Sequence, residues 1–124
     1  MRFMMIVKHS ESSGYPPKPL MDAIAKLSDE ADKAGTKVGS GGLGPTALGA
    51  RVRLSQGQVS VIDGPFTEAK EIVGGYAIFD LASKQEAIKG AVQFMELHKQ
   101  HWPGWEGETE IRQMFGPEDF PCKP

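Results

Sequence analysis

Apolar and polar positions along the chain change their period several times, and each change marks an element. Arg2 to Lys8 carries a nearly continuous apolar run, Phe3 to Val7, the pattern of a central strand covered on both faces. Leu20, Ile24, Leu27, Ala31 and Ala34 then recur at helical spacing, with Asp22, Lys26, Asp29, Glu30, Asp32 and Lys33 largely on other faces. Pro19 suits a first helical turn and Gly35 a C-terminal stop, so a helix is predicted between them. In Ala50–Leu54, Arg51 and Arg53 alternate with Val52 and Leu54, and Val59–Ile62 is rich in β-branched residues. The tight turn Ser55–Gln58 joins the two runs into a β-hairpin. Ile72–Phe79 reads as another strand, its start loosened by Gly74 and Gly75. Ser83 and Glu86 form a capping box that opens a second helix, with Ile88, Ala91, Val92 and Met95 as its apolar stripe and Ala87 and Phe94 at the margins. Glu108–Phe115 alternates as a last strand, and Gly116–Pro124, with Pro117, Pro121 and Pro124, reads as an extended tail.

The order β, α, β-hairpin with a possible short strand before it, β, α, β describes an α+β sandwich of the ferredoxin-like kind, one domain over residues 1–124. Two helices cover one face of such a sheet. The strands here are apolar enough that the other face is expected to be buried too, by pairing two sheets in a homodimer.

Composition changes this picture little. At 124 residues, 40% hydrophobic and 24% charged, the chain fits one ordinary globular domain. No apolar run approaches the ~20 residues that cross a bilayer, and Lys8, His9 and Glu11 follow the first run where a signal peptide would have its cleavage site, so no membrane and a cytoplasmic location are expected. A net charge of −2 disfavours nucleic acid, whose binding rests on basic patches. The faint likeness of Gly75–Phe79 to an RNA-recognition strand fails for the same reason, because Gly74 stands where a basic residue is needed. Cys122 is alone and suits neither a disulfide nor a zinc site.

Candidate chemistry concentrates between the hairpin and the next strand. Asp63, Glu68, Lys70 and Glu71 fall within a few residues of one another on a loop held between two strands, where sites are commonly built. Asp63 is the candidate general base or orienting carboxylate, against the bland reading that it hydrogen-bonds loop amides. His9, at the end of the first strand, is the candidate proton shuttle, against a plain loop histidine. Lys70 or Arg112 is the candidate holder of an anionic substrate, and Glu68, Glu71 and Tyr76 complete the candidate binding set. The Gly-rich stretch Thr36–Pro45 leads into no helix, which favours close backbone packing over a phosphate cradle. His98 and His101 lie one helical turn apart but lack the zinc-protease pattern, and favourable interaction with the helix dipole explains them more simply. Trp102 and Trp105 are read as covering the edge of the core. No metal or cofactor is expected.

Asp63-Gly64-Pro65-Phe66, followed by Glu68, Lys70-Glu71 and Gly74-Gly75-Tyr76, closely resembles the DGPF branch of the YCII-related proteins. Gly42–Pro45, Glu110–Arg112 and Glu118–Phe120 extend the resemblance over nearly the whole chain. It implies a ferredoxin-like fold that dimerises into an α/β barrel, usually in bacteria, with a small-molecule cleft in each protomer. A few relatives in that family act as lyases or isomerases through a His–Asp pair, and others are encoded near alternative sigma factors. The resemblance therefore implies either a cofactor-independent acid/base enzyme or a non-catalytic regulatory module associated with a transcription-related partner. Ala69 stands where the family often has Thr, and the superfamily's first-helix histidine has no counterpart between Pro16 and Ala34, which leaves His9 as the nearest.

Overall fold

The computed structural model describes residues 1–66 and 71–119. Six strands and two helices follow in the order β1 (Arg2–His9), α1 (Lys18–Ala34), β2 (Lys37–Gly42), β3 (Ala50–Ser55), β4 (Gln58–Asp63), β5 (Ile72–Asp80), α2 (Lys84–His101) and β6 (Gly107–Gln113). β2, β5, β1 and β6 lie side by side in one antiparallel sheet, while β3 and β4 pair only with each other. This is the ferredoxin-like α+β arrangement with a hairpin inserted between β2 and β5.

Alternation decides which sheet face the helices cover. Phe3 and Met5 on β1, Phe79 across from Phe3, and Ile111 across from Met5 share one face, and these residues pack with Leu81, Ala87 and Ala91 into the core. Val7 and His9 continue the same side of β1. The Gly-rich stretch after α1 forms β2, an edge strand whose register with β5 shifts once, between Lys37 and Gly39.

Gly35 ends α1 in the left-handed conformation (φ 74°), and its N–H reaches the carbonyls of Ala31 and Asp32, as expected of a glycine stop. Of the predicted α1 stripe, Leu20 is fully buried, whereas Ile24, Leu27 and Ala31 are half-buried and Ala34 is exposed. In α2, Ser83 Oγ accepts from Glu86 N–H at 3.2 Å and Glu86 reaches back to Ala82 N–H at 3.1 Å, close to the predicted capping box. The α2 stripe is turned from its expected position: Ile88 and Val92 are exposed, and Ala87, Ala91 and His98 are buried. Small residues at 87, 90 and 91 let the helix lie close on the sheet. That spacing runs on through Phe94 to a histidine, which hydrophobicity alone does not mark as an inward position. In the predicted tail, Pro117–Asp119 forms a short 3₁₀ turn closed by Asp119 accepting from Gly116 N–H at 2.7 Å.

Candidate functional site

A cavity of about 820 Å³ lies between α1, α2 and the sheet, within the ~300–1,000 Å³ typical of small-molecule pockets. Ile24, Leu27 and Ala31 roof it from α1, Met5, Val7 and His9 contribute from β1, and Phe94 and His98 from α2. The half-burial of the α1 stripe thus has a cause: that helix covers a hollow.

His9 is placed by two backbone features. Its Nδ1–H donates to the Ser10 carbonyl at 2.8 Å, since a carbonyl can only accept, and this leaves the Nε2 lone pair free. The ring lies over β5 where the register slips: Val7 pairs with Gly75 and Lys8 with Val73, so Gly74 is an extra residue opposite them. A Cβ at Gly74 would stand 2.3 Å from His9 Nε2. A side chain at this position would push the imidazole out of its present place. Gly75 serves a different contact, the approach of β2, since its Cβ would lie 3.0 Å from the Gly41 carbonyl oxygen.

The carboxylate beside His9 belongs to Glu11. It accepts from the Thr46 backbone N–H at 2.6 Å and from Thr46 Oγ1 at 2.8 Å. These bonds, with a smaller contribution from the charge of His9, hold its pKa below the ordinary carboxylate value. Glu11, Tyr15 and His9 all line the cavity. Thr46 also anchors the loop after the hairpin: Phe66 N–H donates to its Oγ1 at 3.3 Å, and a Cβ at Gly64 would fall 1.6 Å from its carbonyl oxygen. Gly64 N–H donates to the Gly49 carbonyl at 2.9 Å, and the Arg51 guanidinium sits 4.0 Å above the Phe66 ring. The Asp-Gly-Pro-Phe stretch is therefore a joint that fastens the hairpin to Thr46 and, through Thr46, to Glu11.

At the far side of His9 stands an aromatic group. Trp105 lies 6.1 Å from His9, 4.5 Å from His98 and 5.8 Å from Trp102, centroid to centroid. His98 is 5% exposed, and its Nδ1–H donates to the Phe94 carbonyl at 3.0 Å. Burial is the main cause that lowers its pKa from the ordinary imidazole value, so the ring is kept neutral. The Trp105 indole N–H is buried without a hydrogen-bond partner among the described residues, a costly arrangement in a protein interior.

The residues picked out from sequence are thus dispersed. His9 and Tyr76 border the cavity, and the Tyr76 ring packs over Gly41 of β2. Asp63 is exposed at the end of β4, opposite Ala50, and is not among the lining residues. Glu71 is exposed, with its charge acting on Lys8. Arg112 is held by Glu110 at 3.2 Å on β6, away from the cavity wall. Glu68 and Lys70 lie outside the described residues. Sequence reasoning missed Glu11, for which no local pattern stands out, and His98, which the spacing Ala87, Ala91, Phe94, His98 would have turned inward.

The YCII-related domain matches residues 1–94. The chain belongs to the YCII-related family. It is also 38% identical, over 68 residues, to an uncharacterized protein of Rhizobium meliloti (strain 1021), a match covering 55% of this chain and 52% of that protein. The chain thus spans about half the length of that curated relative. None of the helices among the described residues is long and apolar enough to cross a membrane.

Proposed function

We propose that this YCII-related protein binds in the cavity a small, largely apolar molecule that is not an anion, and moves a proton on it, with His9 as the general base and Glu11 on the same wall. The observation that carries this reading is the His9 imidazole, fixed by Ser10 and with no hydrogen bond to Nε2 among the described residues, on the wall of the cavity. An imidazole so held is suited to proton transfer. Glu11 is kept ionised by its hydrogen bonds from Thr46. An anionic ligand is disfavoured by the wall: its one lysine or arginine among the described residues, Lys37, is already paired with Asp32 at 3.0 Å. Asp63, the base expected from sequence, is replaced in this reading by Glu11 as the acidic partner. A proton shift without net redox change is isomerase or lyase chemistry and needs no cofactor.

Exchange of α-protons reads this directly. In D₂O, wild-type protein should catalyse deuterium incorporation into cyclohexanone or phenylacetone, followed by NMR, and His9→Gln should reduce the rate to the buffer level. Exchange at buffer level with wild type, or an equal rate in His9→Gln, contradicts the proposal. The second reading, a non-catalytic ligand-binding or regulatory module, is favoured by the exposure of Asp63; ligand-dependent quenching of Trp102 and Trp105 fluorescence without exchange would support it.

A further inference from the structure

His98 is a buried imidazole on the cavity wall for which the proton transfer proposed above has no use. It is 5% exposed and stands on α2 between two rings, Phe94 at 4.6 Å and Trp105 at 4.5 Å, centroid to centroid. Those contacts fix the ring in place. Its Nδ1–H donates to the Phe94 carbonyl at 3.0 Å, which turns Nδ1 toward the backbone of its own helix and Nε2 away from it. Burial, and in smaller part the charge of His9, lower its pKa, so at neutral pH the ring carries one proton, on Nδ1. Nε2 is then an acceptor and nothing else.

Packing alone does not ask for a nitrogen there. A phenyl ring would fill the space between Phe94 and Trp105, whereas an acceptor taken out of water and given no donor costs free energy. Among the described residues no donor reaches Nε2: the one hydrogen bond of the ring is that of Nδ1. Trp105 Nε1 is the side-chain polar atom that is both sealed in and unpartnered among the described residues. His98 Nε2, equally unpartnered, is not sealed and so keeps access to the space its residue lines. That space is the cavity, together with a smaller hollow of about 350 Å³ that shares His98, Trp102 and Trp105 with it. His9 borders the same cavity and lies 6.1 Å from Trp105, so both imidazoles stand against one indole.

We propose that His98 Nε2 accepts a hydrogen bond from a neutral hydroxyl of the molecule bound in the cavity, so that the protein selects hydroxyl-bearing ligands and orients them before His9. A carboxylate or a plain ketone offers only acceptors and would leave Nε2 without a donor. An ammonium could donate, yet among the described residues no carboxylate acts on the charge of His98, and such a cation would shed its water there unpaired. A hydroxyl donates and carries no charge. The cost of burying Nε2 is then offset when the ligand arrives, which is how a polar group in an apolar pocket confers specificity. This inference rests on the first half of the reading above, that the cavity holds a ligand, and not on His9 moving a proton.

NMR of ¹⁵N-labelled wild type follows His98 Nε2 directly, with p-cresol as the hydroxyl probe and 4-methylanisole, the same ring with its hydroxyl capped, as the control. Nε2 should move upfield with p-cresol, as an imidazole nitrogen does on gaining a donor, and hold its position with 4-methylanisole. Calorimetric titration adds the ratio of the two affinities. That ratio should fall about fivefold in His98→Phe, the size of one neutral hydrogen bond, and keep its wild-type value in His9→Gln, with circular dichroism melts to show that both variants stay folded. An Nε2 unmoved by p-cresol overturns the proposal whether or not His98→Phe folds. So does a ratio unchanged in His98→Phe, or one lost in His9→Gln, which would put the hydroxyl on His9. Exchange of phenylacetone separates the two readings: exchange with Nε2 untouched by p-cresol overturns this inference alone, whereas p-cresol on Nε2 without exchange supports it and contradicts only the proton transfer.

Discussion

The body of the molecule and its arm use the same device to different ends. In both, apolar residues alternate along antiparallel strands. In the body, Phe3, Met5 and Phe79 pack with α2 and are buried or half-buried, whereas in the arm, the β3–β4 hairpin, Val52, Leu54, Val59 and Val61 are each about two-thirds or more exposed. Alternation states which side chains share a face. What covers that face is decided by the connections, and here the helices reach only one side of the sheet and leave the arm bare.

The contrast is broken or sharpened most strongly by core deletion. Phe3 is 2% exposed, and Phe3→Ala should cost about 3–5 kcal/mol in urea unfolding. Val52→Ala, at a position 69% exposed, should cost no more than about 0.5 kcal/mol. Similar costs at the two sites would abolish the distinction.

The joint between the two regions comes next. A Cβ at Gly64 would collide with backbone, the Thr46 carbonyl, so Gly64→Ala must displace the loop, at about 1–3 kcal/mol for an overpacked site. Exchange at the Gly64 and Phe66 amides should quicken while β1 and β5 amides stay protected. A change spread evenly over the sheet would contradict the separation of joint and body.

Acid should act on the regions at different pH. The folded state keeps His98 neutral with its pKa below the ordinary 6.5, so below 6.5 the unfolded chain takes up a proton that the folded chain refuses. Body stability should fall from pH 6.5 down to the depressed folded value and then level off, and His98→Phe should flatten that part of the profile. Glu11 has its folded pKa below the ordinary 4.5. Its contribution is therefore complete above 4.5 and is lost only as pH falls through the depressed value, so the Phe66 amide should open at lower pH than the onset of body destabilisation. The smallest effect is expected at the exposed Arg2–Asp80 pair, 2.8 Å apart: Asp80→Asn should leave the urea unfolding midpoint nearly unchanged, because solvent screens an exposed ion pair.

The fold was largely legible because its signals are local: the Pro19 and Gly35 boundaries, the Ser83–Glu86 box and the Ser55–Gln58 turn each specify one backbone conformation. The candidate site was legible only in part. His9 follows from its place at a strand end, and the paired glycines 74 and 75 mark a close approach, although not what approaches. Asp63 drew attention because it sits in a charged, turn-forming stretch, yet the same stretch serves as a joint whose demands fall on Gly64 and Phe66. Glu11 and Thr46 lie 35 residues apart and meet only once the chain has folded, so nothing local links them. The rotation of α2 was hidden because its inward face is made of two alanines, a glycine and a histidine, while the bulkier Ile88 and Val92 point outward.

The most direct test of the central claim is α-proton exchange of phenylacetone in D₂O by wild type, His9→Gln and Gly74→Ala. Wild type should exchange, His9→Gln should fall to the buffer rate, and Gly74→Ala, which leaves His9 in place in the sequence but removes the space its ring occupies, should fall with it. Wild-type exchange that persists in His9→Gln would contradict the assignment of the base, and no exchange by wild type would contradict the chemistry itself.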